Sequence, residues 1–498
     1  MGDPERERYE AEIERLRAII VEQAALIEQL RSRVAELETR LRKGSGNSSL
    51  PPSRDRLDRR ARRAQERAER KAAHKVGEED PARKPGKQPG APGSTLCRRS
   101  ADRTVVHRPS TCGGCGRALA DAPVVGGATR QVLEIPEPHL EATDHVAERR
   151  RCPCGHETAA AFPPEATGPV CWGPRAKAVG AYLLARQHLP LERGAEAMAV
   201  LFDAPMGEGT LAGLLPDAAR RLEGFVERVK SLLGGCPVVH ADETPIRVGV
   251  APAWAHTVST EGLTLLAHHP KRGIEGILEI GVLGGYRGTI VHDGLATYDR
   301  EELAGAAHAQ CGAHLARHLE EAARALPHKG WATDMLGVLA DAKEASETSA
   351  AAGLPAVPGA IAEAIRHRYR TALTHAFAGL PPGPPPPRKH RGGWSVAERD
   401  SWNLAARMHR HEDQVLRLLD DTRVPFTNNA AERPLRPVKL HDKISGTFRS
   451  VVHAEAFLVV RSYLGTGAKH GRRALQLLTD LWTPTGAWLP SVAVPDTS

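Results

Sequence analysis

Val238-Val239-His240-Ala241-Asp242-Glu243-Thr244 is an apolar run that closes on two adjacent carboxylates. Such a run reads as a buried strand that ends where its acids begin. Trp254–Ser259 and Leu263–His269 read as two more strands, followed by a short helical stretch. Gly288-Thr289-Ile290-Val291-His292-Asp293-Gly294 is a fourth strand, and it too closes on an acid. Taken singly, an aspartate at a strand end is commonly a turn former or a helix cap.

A third acid shifts that balance. Pro425-Phe426-Thr427-Asn428-Asn429-Ala430-Ala431-Glu432-Arg433 opens a helix, with Thr427 or Asn428 as its cap and Glu432 one turn inside. Asn429, Glu432, Arg433 and Arg436 fall at i, i+3, i+4 and i+7, which puts their polar groups on one face. On these residues alone, the competing reading is an exposed capping helix laced with salt bridges. Three strands, a helix and a fourth strand, with acids closing the first and fourth, is the order of an RNase H-like core. Carboxylates converging from two strands and a helix would bind hard cations such as Mg²⁺ (or Mn²⁺), which take oxygen ligands. Two such ions roughly 3.5–4 Å apart can activate a water or a 3′-hydroxyl and stabilise the leaving oxygen of a phosphoryl displacement.

Upstream lie two cysteine pairs, Cys112-Gly113-Gly114-Cys115-Gly116 and Cys152-Pro153-Cys154-Gly155. Glycines beside the thiolates let backbone amides approach sulfur, and four thiolates satisfy tetrahedral Zn²⁺. The second pair is one residue shorter than the first, which leaves His156 open as an alternative fourth ligand. Unmetallated reduced cysteines are the competing reading. Arg130–Ile135 and Leu140–Arg149 alternate polar and apolar residues, so a β-ribbon is expected between the knuckles. Cys97, Cys171, Cys236 and Cys311 stand alone and read as buried apolar residues. Helices are expected over Lys177–Gln187, Glu192–Phe202 and Glu208–Leu215, where Pro216 interrupts the last. The tight turn between the second and third fits a helix-turn-helix or any small helical bundle.

At the N-terminus, Ile13, Leu16, Ile20, Gln23, Ile27, Leu30, Val34, Leu37 and Leu41 step by three and four, a coiled-coil seam that expects a second copy of the chain. A helix packed on its own protein is the alternative. From Arg54 to Lys75, ten Lys and Arg face four acids, a net +6 within a whole-chain charge of +8. A basic run of this density displaces counterions from a phosphate backbone, so nucleic acid is the expected partner; a solvated linker is the competing reading. A Pro/Gly stretch, Pro85 to Gly93, follows. At 498 residues, with 41% hydrophobic and 26% charged residues, the chain is too long for one domain and too apolar for disorder. It has no apolar run long enough to span a bilayer and too few cysteines for a disulfide scaffold. A cytoplasmic, nucleoid-associated protein without a membrane contact is expected.

These motifs resemble the insertion sequence 66 family of DDE transposases. Asn47-Ser48-Ser49-Leu50-Pro51-Pro52-Ser53, Gly86-Lys87-Gln88-Pro89-Gly90-Ala91-Pro92-Gly93, the cysteine pairs, His-Ala-Asp-Glu-Thr at Asp242, His-Asp-Gly at Asp293 and Asn-Asn-x-Ala-Glu-Arg at Glu432 carry the likeness. Cys311-Gly312-Ala313-His314 resembles a further Cys-x-Ala-His motif, with Gly312 where a larger polar residue is common. Gly213 and Leu214 stand where that likeness expects a tryptophan. The resemblance implies Asp242, Asp293 and Glu432 as catalytic Mg²⁺ ligands and Cys112, Cys115, Cys152 and Cys154 as ligands of structural Zn²⁺. Arg433, Arg436 and Lys439 are expected on DNA phosphates, with Asn428 and Asn429 positioning Glu432 or the DNA. The implied partners are the element's ends, target DNA and a second subunit, and the likeness admits helper proteins of the same element. The rival readings are a catalytically inactive or domesticated zinc-containing DNA-binding protein, and a metal-dependent nuclease without joining activity.

The expected organisation is multi-domain α/β. It runs from a coiled coil (1–43) and a basic Pro/Gly linker (44–100) to a zinc-ribbon-like β module (101–165) and a helix-turn-helix-like region (166–234). An RNase H-like catalytic domain (235–485) with an α-helical insert (315–424) follows, then a tail (486–498).

Overall fold

The computed structural model describes residues 96–386 and 393–491. The coiled coil, the basic run, the Asn47–Ser53 segment and the Pro/Gly stretch lie outside the described residues. The described residues divide into two compact units, 96–139 and the rest.

Among the described residues of the first unit, the regular pairing is one isolated bridge between Thr111 and Ala118, beside the first cysteine pair. The expected ribbon does not form: 130–135 and 140–148 are not strands. Their alternation has no face to bury, since Val132, Ile135 and Val146 each stay more than 80% exposed. In the larger unit, a short hairpin flanks the second cysteine pair, β1 (Arg149–Arg151) antiparallel to β2 (Glu157–Ala159).

In the larger unit, four helices precede the main sheet: α1 (Pro174–Ala185), α2 (Leu191–Phe202), α3 (Glu208–Arg221) and α4 (Glu223–Gly234). Contrary to the sequence expectation, α3 runs through Pro216 for five more residues. An internal proline costs roughly 3 kcal/mol. Burial of Leu211, Leu214, Leu215 and Ala218 on the inner face offsets it, at about 1.5–3 kcal/mol per large side chain.

The main sheet holds β3 (Val238–Val248), β4 (Ala251–Ser259), β5 (Thr264–His269), β6 (Thr289–His292) and β7 (Ala307–Gln310) in the order β5-β4-β3-β6-β7. The first three are antiparallel neighbours, whereas β3, β6 and β7 run parallel, with α5 (Ile274–Glu279) on the crossover. β3 does not stop at its acids but continues past them to Val248. Pro245 lies within this continuation, where a proline argues against a central strand. It is tolerated because β6 pairs only with residues 238–240, so β3 is an edge on that side by the time Pro245 is reached.

α6 (Gly312–Ala325), α7 (Trp331–Ala351), α8 (Gly359–Gly379), α9 (Val396–Arg410) and two four-residue helices, α10 (Glu412–Val415) and α11 (Arg417–Asp420), follow β7. They carry a core of their own built on Trp331, Met335, Tyr369, Leu404 and Leu416. The chain then returns to the sheet through α12 (Asn429–Ile444), α13 (Val451–Lys469) and α14 (Ala474–Asp480). Ser462 and Thr466 of α13 accept hydrogen bonds from the edge amides of Leu266 and Thr264 at 2.8 and 3.0 Å, closing the open side of β5. Mixed α/β architecture is therefore established. Among the described residues, no helix is long and apolar enough to cross a membrane.

Candidate active site

Parallel pairing between β3 and β6 ends at the rung His240–Val291. Asp242 and Asp293 each lie two residues beyond that rung, where the strands part. A strand's side chains alternate with period two, so equal offsets present the two carboxylates in the same crevice. Burial, then the charges of Glu243 and Asp293, push the Asp242 carboxyl up to about 7; the Glu243 amide and the Lys439 cation oppose the rise. Glu243 is buried, and its carboxyl is raised by desolvation and by Asp293. It accepts from Tyr298 Oη at 2.9 Å and from Arg272 at 3.3 Å. Arg272 lies 5.0 Å over the Trp254 ring and also reaches Asp293 Oδ2 at 3.9 Å. The Leu295 amide bonds Asp293 Oδ1 at 2.9 Å, which fixes the turn after β6.

Glu432 lies in the first turn of α12, which packs on β3 and β4. Pro434 has no amide hydrogen for the carbonyl of Ala430, four residues earlier. The Ser259 hydroxyl of β4 donates to that carbonyl instead, so the missing helix bond becomes a strand-to-helix tie next to Glu432. Asn428 is the N-cap residue, but its side chain does not cap. It is fully buried, with Oδ1 3.0 Å from His240 Nδ1 and Nδ2 donating to the Ala241 carbonyl at 2.8 Å. Its complete burial leaves it no surface for the DNA contact expected of it. Asn429, Arg433, Arg436 and Lys439 are exposed, with the Lys439 charge acting on Asp242.

His314 Nδ1 lies 3.7 Å from Glu432 Oε1, and the Glu432 and Asp293 charges both act on the ring. Cys311 Sγ accepts from the Asn428 amide at 3.2 Å. Burial raises its thiol, against hydrogen bonds from the Asn428, His314 and Ala313 amides. Gly312 has a steric reason to be glycine here: a Cβ would lie 2.2 Å from the Phe426 ring.

Three residues around the acids went unnoticed in the sequence. Arg272 and Tyr298 carry no motif, and Arg407 arrives from α9, far along the chain. Burial lowers the Arg407 guanidinium while the Asp293 charge holds it up, and its Nε has no hydrogen-bond partner.

The cysteine pairs form locally similar turns. Gly116, at φ +73°, donates to the Cys112 carbonyl at 2.9 Å, and Gly155, at φ +90°, donates to the Cys152 carbonyl at 2.8 Å. Positive φ is where glycine is required. Backbone amides of Cys115 and Gly114 lower the Cys112 thiol, and the His156 amide lowers Cys154. Both turns thus favour thiolates, the form that binds metal. Cys236 and Cys311 are buried as expected, whereas Cys97 and Cys171 are exposed, a correction to the apolar reading.

A model of the transposase IS66 family matches residues 169–456, which include Asp242, Asp293 and Glu432. The chain belongs to the transposase IS66 family. The zinc-finger binding domain of transposase IS66 matches residues 109–155, a span holding both cysteine pairs. A family of unknown function matches residues 2–95. No curated protein matches the chain. The protein is an insertion-sequence transposase that binds DNA.

Proposed function

We propose that Asp242, Asp293 and Glu432 are the catalytic acids of an RNase H-like DDE core that cuts the ends of its element and joins the 3′-hydroxyls to target DNA. The observation that carries this reading is the equal offset of Asp242 and Asp293 beyond the His240–Val291 rung. The sheet order and its mix of antiparallel and parallel neighbours are consistent with an RNase H-like core. The donor set fits Mg²⁺ or Mn²⁺: it offers oxygen ligands, and the rise of Asp242 marks negative charge short of compensation. When bound, the ions would activate the attacking oxygen and stabilise the leaving one.

The chain's own residues do the positioning. Tyr298 and Arg272 hold Glu243, and Arg272 also reaches Asp293. Ser259 and Asn428 fix the start of α12 and with it Glu432. Arg433, Arg436 and Lys439, exposed on the same helix, would hold DNA phosphates, with Asn429 beside them.

Around this core, residues 235–485 with the insert 315–424, we assign Zn²⁺ to Cys112, Cys115, Cys152 and Cys154 in a module over 101–165, with His156 as the alternative to one cysteine. The α2–α3 pair within 166–234 supplies helix-turn-helix-like DNA contact, residues 1–43 pair two subunits, and 44–100 grip DNA at the nucleoid. The test is incubation of the purified protein with Mg²⁺ and a plasmid carrying the element's ends, beside Asp293→Ala. Nicked and joined products from the wild type alone are expected. Nicking without joining would make it a nuclease, and tight binding without cutting a DNA-binding factor.

A further inference from the structure

We propose that Cys311, His314 and Glu432 form a second metal site, selective for a borderline-soft divalent ion of the Zn²⁺ class. One sulfur, one ring nitrogen and one carboxylate oxygen of these residues lie within 4.8 Å of one another, the one such group among the described residues. Two ligands about 2.0–2.1 Å from a tetrahedral ion stand roughly 3.4 Å apart, close to the 3.7 Å between His314 Nδ1 and Glu432 Oε1. That nitrogen is buried and has no hydrogen-bond partner, so in the tautomer protonated on Nε2 its lone pair is open to an ion. An orphaned buried polar atom calls for an explanation, and an absent ion is a common one.

The local sequence builds the arrangement. Cys311 is the N-cap residue of α6, and His314 lies in its first turn, so both face the start of the helix. Glu432 occupies the first turn of α12. The Asn428 amide holds Cys311 Sγ, and the Gly312 amide donates to the Phe426 carbonyl at 2.8 Å, which lashes the two helix starts together. Thiolate with imidazole and carboxylate selects Zn²⁺, Co²⁺ or Fe²⁺ over Mg²⁺, which takes oxygen alone. Three protein ligands leave a fourth position open to water or a phosphate oxygen, as in catalytic rather than structural zinc sites. The ligand set itself does not depend on Asp242 and Asp293 being catalytic.

The test is Co²⁺ titration of the metal-stripped full-length protein, reading thiolate-to-cobalt charge transfer and the ions bound per chain. The wild type and Glu347→Gln, an exposed α7 residue that belongs to neither metal site, should bind the same number of ions. Cys311→Ser and His314→Ala should each bind one ion fewer, or bind the last one at least about 100-fold more weakly. Losing a partner of a ligand alone costs about 10–100-fold. Cys311→Ser should also lose the matching share of the charge-transfer band. His314 is partly exposed, so His314→Ala decides the matter if the buried Cys311→Ser does not fold. Unchanged stoichiometry and affinity in folded His314→Ala would overturn the proposal.

Discussion

Asp242→Asn should stabilise the metal-free protein. Unfolded, Asp242 titrates near 3.8; folded, it titrates near 7 because burial and the Glu243 and Asp293 charges oppose its ionisation. Between those pH values the folded chain holds a proton that the unfolded chain has released. Stability is therefore lost as pH rises from about 4 to about 7 and is not regained above. At about 1.4 kcal/mol per pH unit the full cost is roughly 4 kcal/mol, or about 2–4 kcal/mol with solvent screening of the partly exposed group. Asparagine keeps the shape and removes the charge. In chelator at pH 8, followed by circular dichroism, Asp242→Asn should melt roughly 4–10 °C above the wild type. The gap should close at pH 4. Excess Mg²⁺ should raise the wild-type melting point and the variant's much less, because a ligand of the folded state stabilises only where it binds. A variant that melts at or below the wild type in chelator at pH 8 would refute the argument, as would a gap that persists at pH 4.

Asn428→Leu should cost about 2–4 kcal/mol in urea unfolding, since it strips buried partners from His240 and the Ala241 carbonyl; unchanged stability would contradict the positioning role. Gly312→Ala should lower the melting point by an amount equivalent to about 1–3 kcal/mol, because its Cβ must displace the Phe426 ring. Replacing Arg59, Arg60, Arg62 and Arg63 with alanine should flatten the log-affinity against log-salt slope on DNA by roughly 3–4. A slope that does not change would mean the run is a linker.

The acids were legible because each sits in a short motif with strong local chemistry: apolar strands before Asp242 and Asp293, a helix start before Glu432. The helical insert over 315–424 was an expectation that came with the family resemblance and that the long gap between Asp293 and Glu432 allowed. What escaped was set by tertiary contact. Pro245 hides the far half of β3, which survives because one neighbouring strand has already turned away. Pro216 hides the end of α3, where burial outweighs a missing hydrogen bond. Arg407 has no local signature, since its meaning comes from a crevice more than a hundred residues away in sequence. The knuckle ribbon failed for the opposite reason, because alternation without a surface to bury it against specifies no sheet.

The most direct test of the three-acid site is to substitute alanine at Asp242, Asp293 and Glu432 one at a time. Each variant would be assayed for strand cutting with Mg²⁺ on a duplex carrying the element's end, with binding measured on the same duplex. The account predicts that each loses cutting by about 10³-fold or more, as the loss of a metal ligand would, while end binding stays within a few-fold of wild type. A folded variant that cuts within about tenfold of wild type would contradict it.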